Sequence, residues 1–92
     1  MMYEIKFTNQ FKKALKLCNK RGFDISLIRR AIDILSKYGC LPPEYKPHKL
    51  TNYPGGRTWE CHIQPDWLLV WEQNDEELIL LMLNTGRHTD IF

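Results

Sequence analysis

Trp59-Glu60-Cys61-His62-Ile63-Gln64-Pro65-Asp66-Trp67-Leu68-Leu69-Val70-Trp71 is the stretch on which the fold turns. Two apolar runs flank Gln64-Pro65, and proline has no amide donor with which to continue a ladder. The pattern predicts a β-hairpin, with His62 at the end of one strand and Asp66-Trp67 at the start of the next. An imidazole and a carboxylate then stand together at one end of a sheet. A strand pair built only for burial has no need of His, Asp and Pro at its tip, so the chemistry is expected there.

Working outward, one strand spans roughly Arg57 to Ile63 and its partner Asp66 to Glu72. Gln73-Asn74-Asp75-Glu76 reads as the next turn and Glu77 to Leu83 as a third strand. Leu78 to Leu83 is almost wholly apolar, as expected of a central strand buried on both faces. Upstream, Pro42, Pro43, Pro47, Pro54, Gly55 and Gly56 break all periodicity, which predicts a long ordered loop from Cys40 to Gly56. A loop of that length in so short a chain points to function. Before it come two amphipathic helices. The first is capped by Thr8 or Asn9, with Phe11, Ala14, Leu15 and Cys18 on its apolar stripe and Gly22 ending it. Lys12, Lys13 and Lys16 lie off that stripe. The second is capped by Asp24 and stopped by Gly39. Ile25, Ile28, Ala31, Ile32, Leu35 and Tyr38 form its buried face, and Arg29 and Arg30 stay exposed. Tyr3 to Phe7 alternates as a short first strand. The order is β-α-α-β-β-β. It predicts an α+β fold, a helical hairpin on one face of a twisted, mainly antiparallel sheet, with the first strand beside the last ones.

Ninety-two residues, 43% hydrophobic and 26% charged, suit a single domain over residues 1–92. No apolar run reaches membrane-spanning length, and no signal-peptide pattern opens the chain, so a cytoplasmic protein is expected. The three cysteines lack CxxC spacing and read as reduced thiols. Charge is divided unevenly. Residues 1–50 hold eleven Lys and Arg against four Asp and Glu, a surplus of +7. Residues 51–92 hold two against seven, a balance of −5, which gives the net +2 of the whole. The basic half suggests an anionic partner, a nucleic acid or an acidic protein, unless it is simply a solvated helical surface.

Five groups recur at predicted loop or strand ends: His48, His62, Asp66, Arg87 and His88. Imidazoles exchange protons near neutral pH, and a fixed arginine can neutralise a phosphate through two hydrogen bonds. Trp67 and Phe92 offer flat faces for stacking bases. Together they suggest metal-free acid–base cleavage of RNA. Each has a plainer reading. A loop histidine is more often structural, Asp66 can end a turn, Trp67 and Phe92 singly read as core, and Arg87-His88 can be a solvated tail. Zinc binding through the histidines, Asp66 and Cys61 is the other rival. No pair has zinc-ligand spacing, so neither metal nor cofactor is expected.

Pro47-His48-Lys49-Leu50, the Glu60 to Val70 segment and Thr85-Gly86-Arg87-His88-Thr89-Asp90-Ile91-Phe92 together resemble the YafQ toxins of the RelE/ParE superfamily, in bacterial type II toxin–antitoxin systems. The resemblance covers essentially the whole chain. It implies a RelE-like fold and a ribosome-dependent mRNA endonuclease neutralised by a cognate antitoxin. His48, His62, Asp66, Trp67, His88 and Phe92 match the family's functional positions. The family's usual arginine before Thr-Gly is Asn84 here, and Arg87 stands three residues later to supply that charge. Trp59 occupies another position where relatives often carry arginine, with Arg57 two residues before it. For such a reaction we expect His88 as general acid and Asp66 or His62 as base, Arg87 as the charge stabiliser and His48 orienting the substrate. Trp67, Phe92, Arg57 and Asn84 would bind it. Lys12, Lys13, Lys16, Arg29 and Arg30 would contact ribosomal RNA or the antitoxin. The alternative is a non-enzymatic ParE-like toxin that binds DNA gyrase.

Overall fold

The computed structural model describes residues 2–92. Its first strand, β1 (Glu4–Phe7), passes into α1 (Asn9–Lys20) through Thr8. The Thr8 side chain accepts from the Phe11 amide at 3.0 Å, capping the helix, while its hydroxyl donates to the Met82 carbonyl at 3.0 Å. Gly22, at φ +84°, turns the chain out of α1 in the left-handed conformation that favours glycine. Asp24 then caps α2 (Ile25–Tyr38), accepting from the Ser26 amide at 3.0 Å. These starts and stops are where Thr8, Gly22, Asp24 and Gly39 place them in the sequence.

One residue of the expected α2 face is wrong. Tyr38 is 72% exposed, and Ser36 is buried in its stead. Ser36 lies against the start of β1. Its carbonyl accepts from the Tyr3 amide at 2.7 Å, and its hydroxyl donates to the Tyr3 carbonyl at 3.1 Å. That exchange satisfies the polar atoms which burial would otherwise strand.

The 40–56 segment is not a structureless loop. It holds a 3-10 turn at Pro43–Tyr45, a two-residue strand β2 (His48–Lys49) and a second 3-10 turn at Pro54–Gly56. Strands β3 (Thr58–Gln64), β4 (Trp67–Asn74) and β5 (Ile79–Gly86) follow, and α3 (His88–Ile91) closes the chain. The five strands lie in the order β1-β5-β4-β3-β2. β1 runs parallel to β5 and every other pairing is antiparallel. The first strand is therefore beside the last, as expected, but the sheet has one more strand than the sequence pattern announced, and the tail is a helical turn.

The fully buried strand is β4 rather than β5, with Trp67 to Trp71 buried without a break. In β5 only Leu80, Met82, Thr85 and Gly86 are buried. The pairing shifts between Val70 and Trp71, where Val70 faces Asn84 but Trp71 faces Met82. That irregularity leaves Leu83 unmatched and resets the alternation of β5, so that Thr85 as well as Met82 turns toward the core side, where Trp67 meets it. Phe11, Cys18, Ile28, Leu35, Cys61, Trp67, Leu69, Trp71, Leu80 and Met82 form the core between the helices and one sheet face. Leu68 and Val70 are buried as well but lie outside that cluster, on the opposite face.

Candidate active site

Directly paired residues in a sheet point to the same side. His48 pairs with Glu60, Glu60 with Val70, and Val70 with Asn84, a single row across four strands. Two residues along β3, His62 stands on that same side, paired with Leu68. The face away from the helices thus carries two imidazoles, a carboxylate and a carboxamide over an apolar floor of Leu68 and Val70.

Both ring nitrogens of His48 face acceptors. Nδ1 lies 3.2 Å from the Lys46 carbonyl and Nε2 lies 3.2 Å from Glu60 Oε1. The ring is fixed in orientation while half its side chain stays open to solvent. Glu60 is 7% exposed, and its Oε2 is the one buried side-chain oxygen or nitrogen without a hydrogen-bond partner among the described residues. A buried carboxylate oxygen left unpaired is costly, which makes Glu60, beside the His48 imidazole, a candidate member of the site. Glu60 is the residue that sequence reasoning passed over. The missing signal was β2: once His48 is known to be a strand residue, its cross-strand partner follows.

His62 Nδ1 lies 3.3 Å from the Pro65 carbonyl, which can only accept. In the neutral ring the proton then sits on Nδ1, and Nε2 carries the lone pair. Glu44, Lys46, Ile63, Gln64 and Pro65 share a shallow pocket with it. The β3–β4 turn is Pro65-Asp66, one residue further on than the sequence suggested. It places Asp66 at the tip, where Oδ2 is 4.0 Å from Arg87 Nε. The Arg87 guanidinium also lies 5.7 Å from the Phe23 ring centre, and its side chain stays half-exposed. The hairpin tip and the C-terminal turn therefore meet, with His88 following at once. His88 and Phe92 are exposed, their ring centres 5.2 Å apart.

Two expected substrate contacts are displaced. Trp67 is 1% exposed. Its indole N–H donates to Thr85 Oγ1 at 2.9 Å, and its ring meets Phe23 edge-on at 5.0 Å. Trp67 belongs to the core and presents no face to a base. Arg57 precedes β3 and lies about 16 Å along the strand from His62. It lines a recess with Lys49, Trp59 and the β4–β5 turn, at the other end of the sheet. Asn84 does share the His48–Glu60 row, with its Oδ1 accepting from the Thr85 amide at 2.9 Å. Phe92, at 55% exposure, is free to stack.

Lys12, Lys13, Lys16, Arg29 and Arg30 are all exposed, on helices covering the opposite side of the sheet from His48 and His62. Among the described residues no group of three His, Cys, Asp or Glu gathers as a metal site. No helix among them is long and apolar enough to cross a membrane.

Residues 3–92 match the family described as bacterial toxin of type II toxin-antitoxin system, YafQ. A relative from Escherichia coli strain B / BL21-DE3, named mRNA interferase toxin YafQ, is 32% identical over 91 residues, covering 97% of this chain and 95% of its own. The crystal structure of the E. coli DinJ-YafQ toxin-antitoxin complex contains a similar chain, with a TM-score of 0.88 and 29% identity over 100% of this chain and 99% of that one. A metal-bound toxin from Helicobacter pylori superimposes with a TM-score of 0.88 at 34% identity, with both chains covered completely.

Proposed function

Because the chain belongs to the YafQ family of type II toxins, we propose that it is an mRNA interferase, acting as one domain over residues 1–92. It cleaves ribosome-bound mRNA in the cytoplasm, and a cognate antitoxin neutralises it. The relatives' names support the cleavage, and the DinJ-YafQ complex supports an antitoxin partner. Nothing in those relatives favours the gyrase-binding alternative. The observation that carries the reading is the open sheet face, where His48, Glu60 and His62 stand in register beside the Asp66–Arg87 tip.

The substrate's 2′-hydroxyl attacks the adjacent phosphorus. His62 Nε2 takes its proton as the O2′–P bond forms, a role favoured over Asp66 because the Pro65 carbonyl already holds the other ring nitrogen. Asp66 holds Arg87 ready at the tip. Charge building on the non-bridging oxygens meets the Arg87 guanidinium, which is half-exposed and whose ion pair among the described residues is the loose one to Asp66 at 4.0 Å. The P–O5′ bond breaks and His88 protonates the departing O5′. Glu60 holds His48 against the sugar-phosphate backbone, and Phe92 stacks on a base beside His88.

Primer extension on an mRNA in a translating extract tests this. Wild-type protein should cut within the reading frame at the ribosomal A site, and His88→Ala should cut at least about 10²-fold more slowly. Intact transcripts at growth-arresting doses of wild-type protein would contradict the reading.

A further inference from the structure

The C-terminal turn that carries His88 has little of its own to hold it. It is a single turn of four residues with none buried, and so short a helix has no independent stability. Besides the looser contacts of Arg87 with Asp66 and Phe23, the turn's one short side-chain tie to the rest of the described residues is a carboxylate oxygen. Asp90 Oδ2 accepts from Arg21 Nη1 at 2.8 Å and from the Arg87 amide at 3.0 Å. Gly86 makes room for this. A side chain there would bring a Cβ to 3.2 Å from both Asp90 Cβ and Oδ2, and its φ of +149° is itself a conformation that suits glycine.

Arg21 is well placed to be the fixed end. It closes α1, with its amide donating to the Leu17 carbonyl at 3.0 Å. Two residues later Phe23 packs edge-on against buried Trp67, whose indole reaches Thr85, and the Thr85 hydroxyl donates to the Leu68 carbonyl at 2.7 Å. The Arg21 backbone, from which the guanidinium reaches Asp90, is thus anchored through a short turn to the floor of the sheet.

We infer that Arg21 and Asp90 are positioning residues: from the end of α1 they fix the terminal turn, and with it the His88 imidazole, against the hairpin tip. The inference rests on the reading of His88 as general acid. The charged and titratable groups around Asp90 are Arg21, Cys18 and Lys13 on α1 and Arg87 on its own turn, with Asp66 beyond Arg87. The Arg87 amide first, and then Arg21, hold the Asp90 carboxyl below the ordinary carboxylate range. An ion pair about a third exposed on both sides adds little to global stability. Its loss should therefore be felt in catalysis and not in folding.

The test measures single-turnover cleavage in the translating extract, the thermal midpoint, and the imidazole NMR signals of His88. Arg21→Ala and Asp90→Ala should each cut the rate about 10- to 100-fold with the midpoint nearly unchanged. Arg21→Lys should recover most of the loss. The double substitution should be no worse than either single one, because both act through one contact. The His88 signals should move toward those of an unrestrained histidine in both alanine variants. Full cleavage in Arg21→Ala and Asp90→Ala, with His88→Ala inactive, would overturn the latch and leave the site standing. Lost cleavage with unmoved His88 signals would also overturn it. Should Asp90→Ala fail to fold, Arg21→Ala decides alone. Full cleavage in His88→Ala would instead overturn the reading of the site.

Discussion

Asp90 shows how a single side chain can be tested without any activity. Its carboxyl lies below the usual range in the folded chain because the Arg87 amide and Arg21 favour the charged form. A depressed folded value means that the carboxylate's contribution is complete above the unfolded value of about 3.9 and is lost as pH falls through the folded one. The Asp90 side-chain carbon signal should therefore titrate with a midpoint below about 3.9 in wild-type protein. In Arg21→Ala that midpoint should rise toward it. A wild-type midpoint at or above the ordinary value would contradict the contact. Legibility at this scale was uneven. His48, His62, Asp66 and His88 stand out as imidazoles and a carboxylate at strand ends and turns. Glu60 looked like an ordinary strand residue, because its significance depends on a cross-strand neighbour. Trp67 was misjudged for the opposite reason: a residue one step past a turn can point into the core as easily as out of it, and its composition cannot say which.

At the scale of elements, caps and stops were the most legible features, since they depend on a few local hydrogen bonds. Gly39 is the clearest. At φ +70° it ends α2, its amide donates to the Leu35 carbonyl, and its carbonyl accepts from Gln73 Nε2 at 2.8 Å. A Cβ there would lie 2.7 Å from the Tyr3 ring, which its backbone bonds to Ser36 and its phenol bond to Asp75 hold in place. Gly39→Ala should thus cost about 2–4 kcal/mol, from the left-handed backbone and the ring clash together. Calorimetry should show a midpoint lower by roughly 10–20 °C. A midpoint within a few degrees of wild type would show that Tyr3 swings aside freely. Two elements escaped the pattern. β2 is two residues long and borders prolines, so alternation has nothing to count. α3 is one turn, held by Asp90 and Gly86 from outside itself. The displacement of full burial from β5 to β4 is a matter of place in the sheet: β4 is the middle strand, with Trp67, Leu69 and Trp71 in the core and Leu68 and Val70 buried on the other face, and no single-strand pattern records which apolar run takes that place.

For the whole molecule, the uneven charge visible in the sequence becomes a two-sided body. The helices with Lys12, Lys13, Lys16, Arg29 and Arg30 cover one side of the sheet, and His48 and His62 occupy the other. With mRNA bound at the histidine face as proposed, the lysines would be the surface that meets ribosomal RNA. Replacing Lys12, Lys13 and Lys16 together by Glu should weaken ribosome co-sedimentation, with a smaller dependence on salt than wild type because fewer counterions are released. Unchanged association at low salt would show that these lysines only solvate the helix. The order of elements was readable because hydrophobic period and turn residues agree along the chain. Which side of the sheet each histidine takes was not, since that depends on register. The central claim is that this face cleaves RNA by acid–base attack of the substrate's own 2′-hydroxyl. The chemistry of the cut ends tests it most directly. Fragments from the translating extract should carry a 5′-hydroxyl on one side and a 2′,3′-cyclic phosphate, or the 3′-phosphate it opens to, on the other. A 5′-phosphate facing a 3′-hydroxyl would mean that water attacked instead, and would contradict the account.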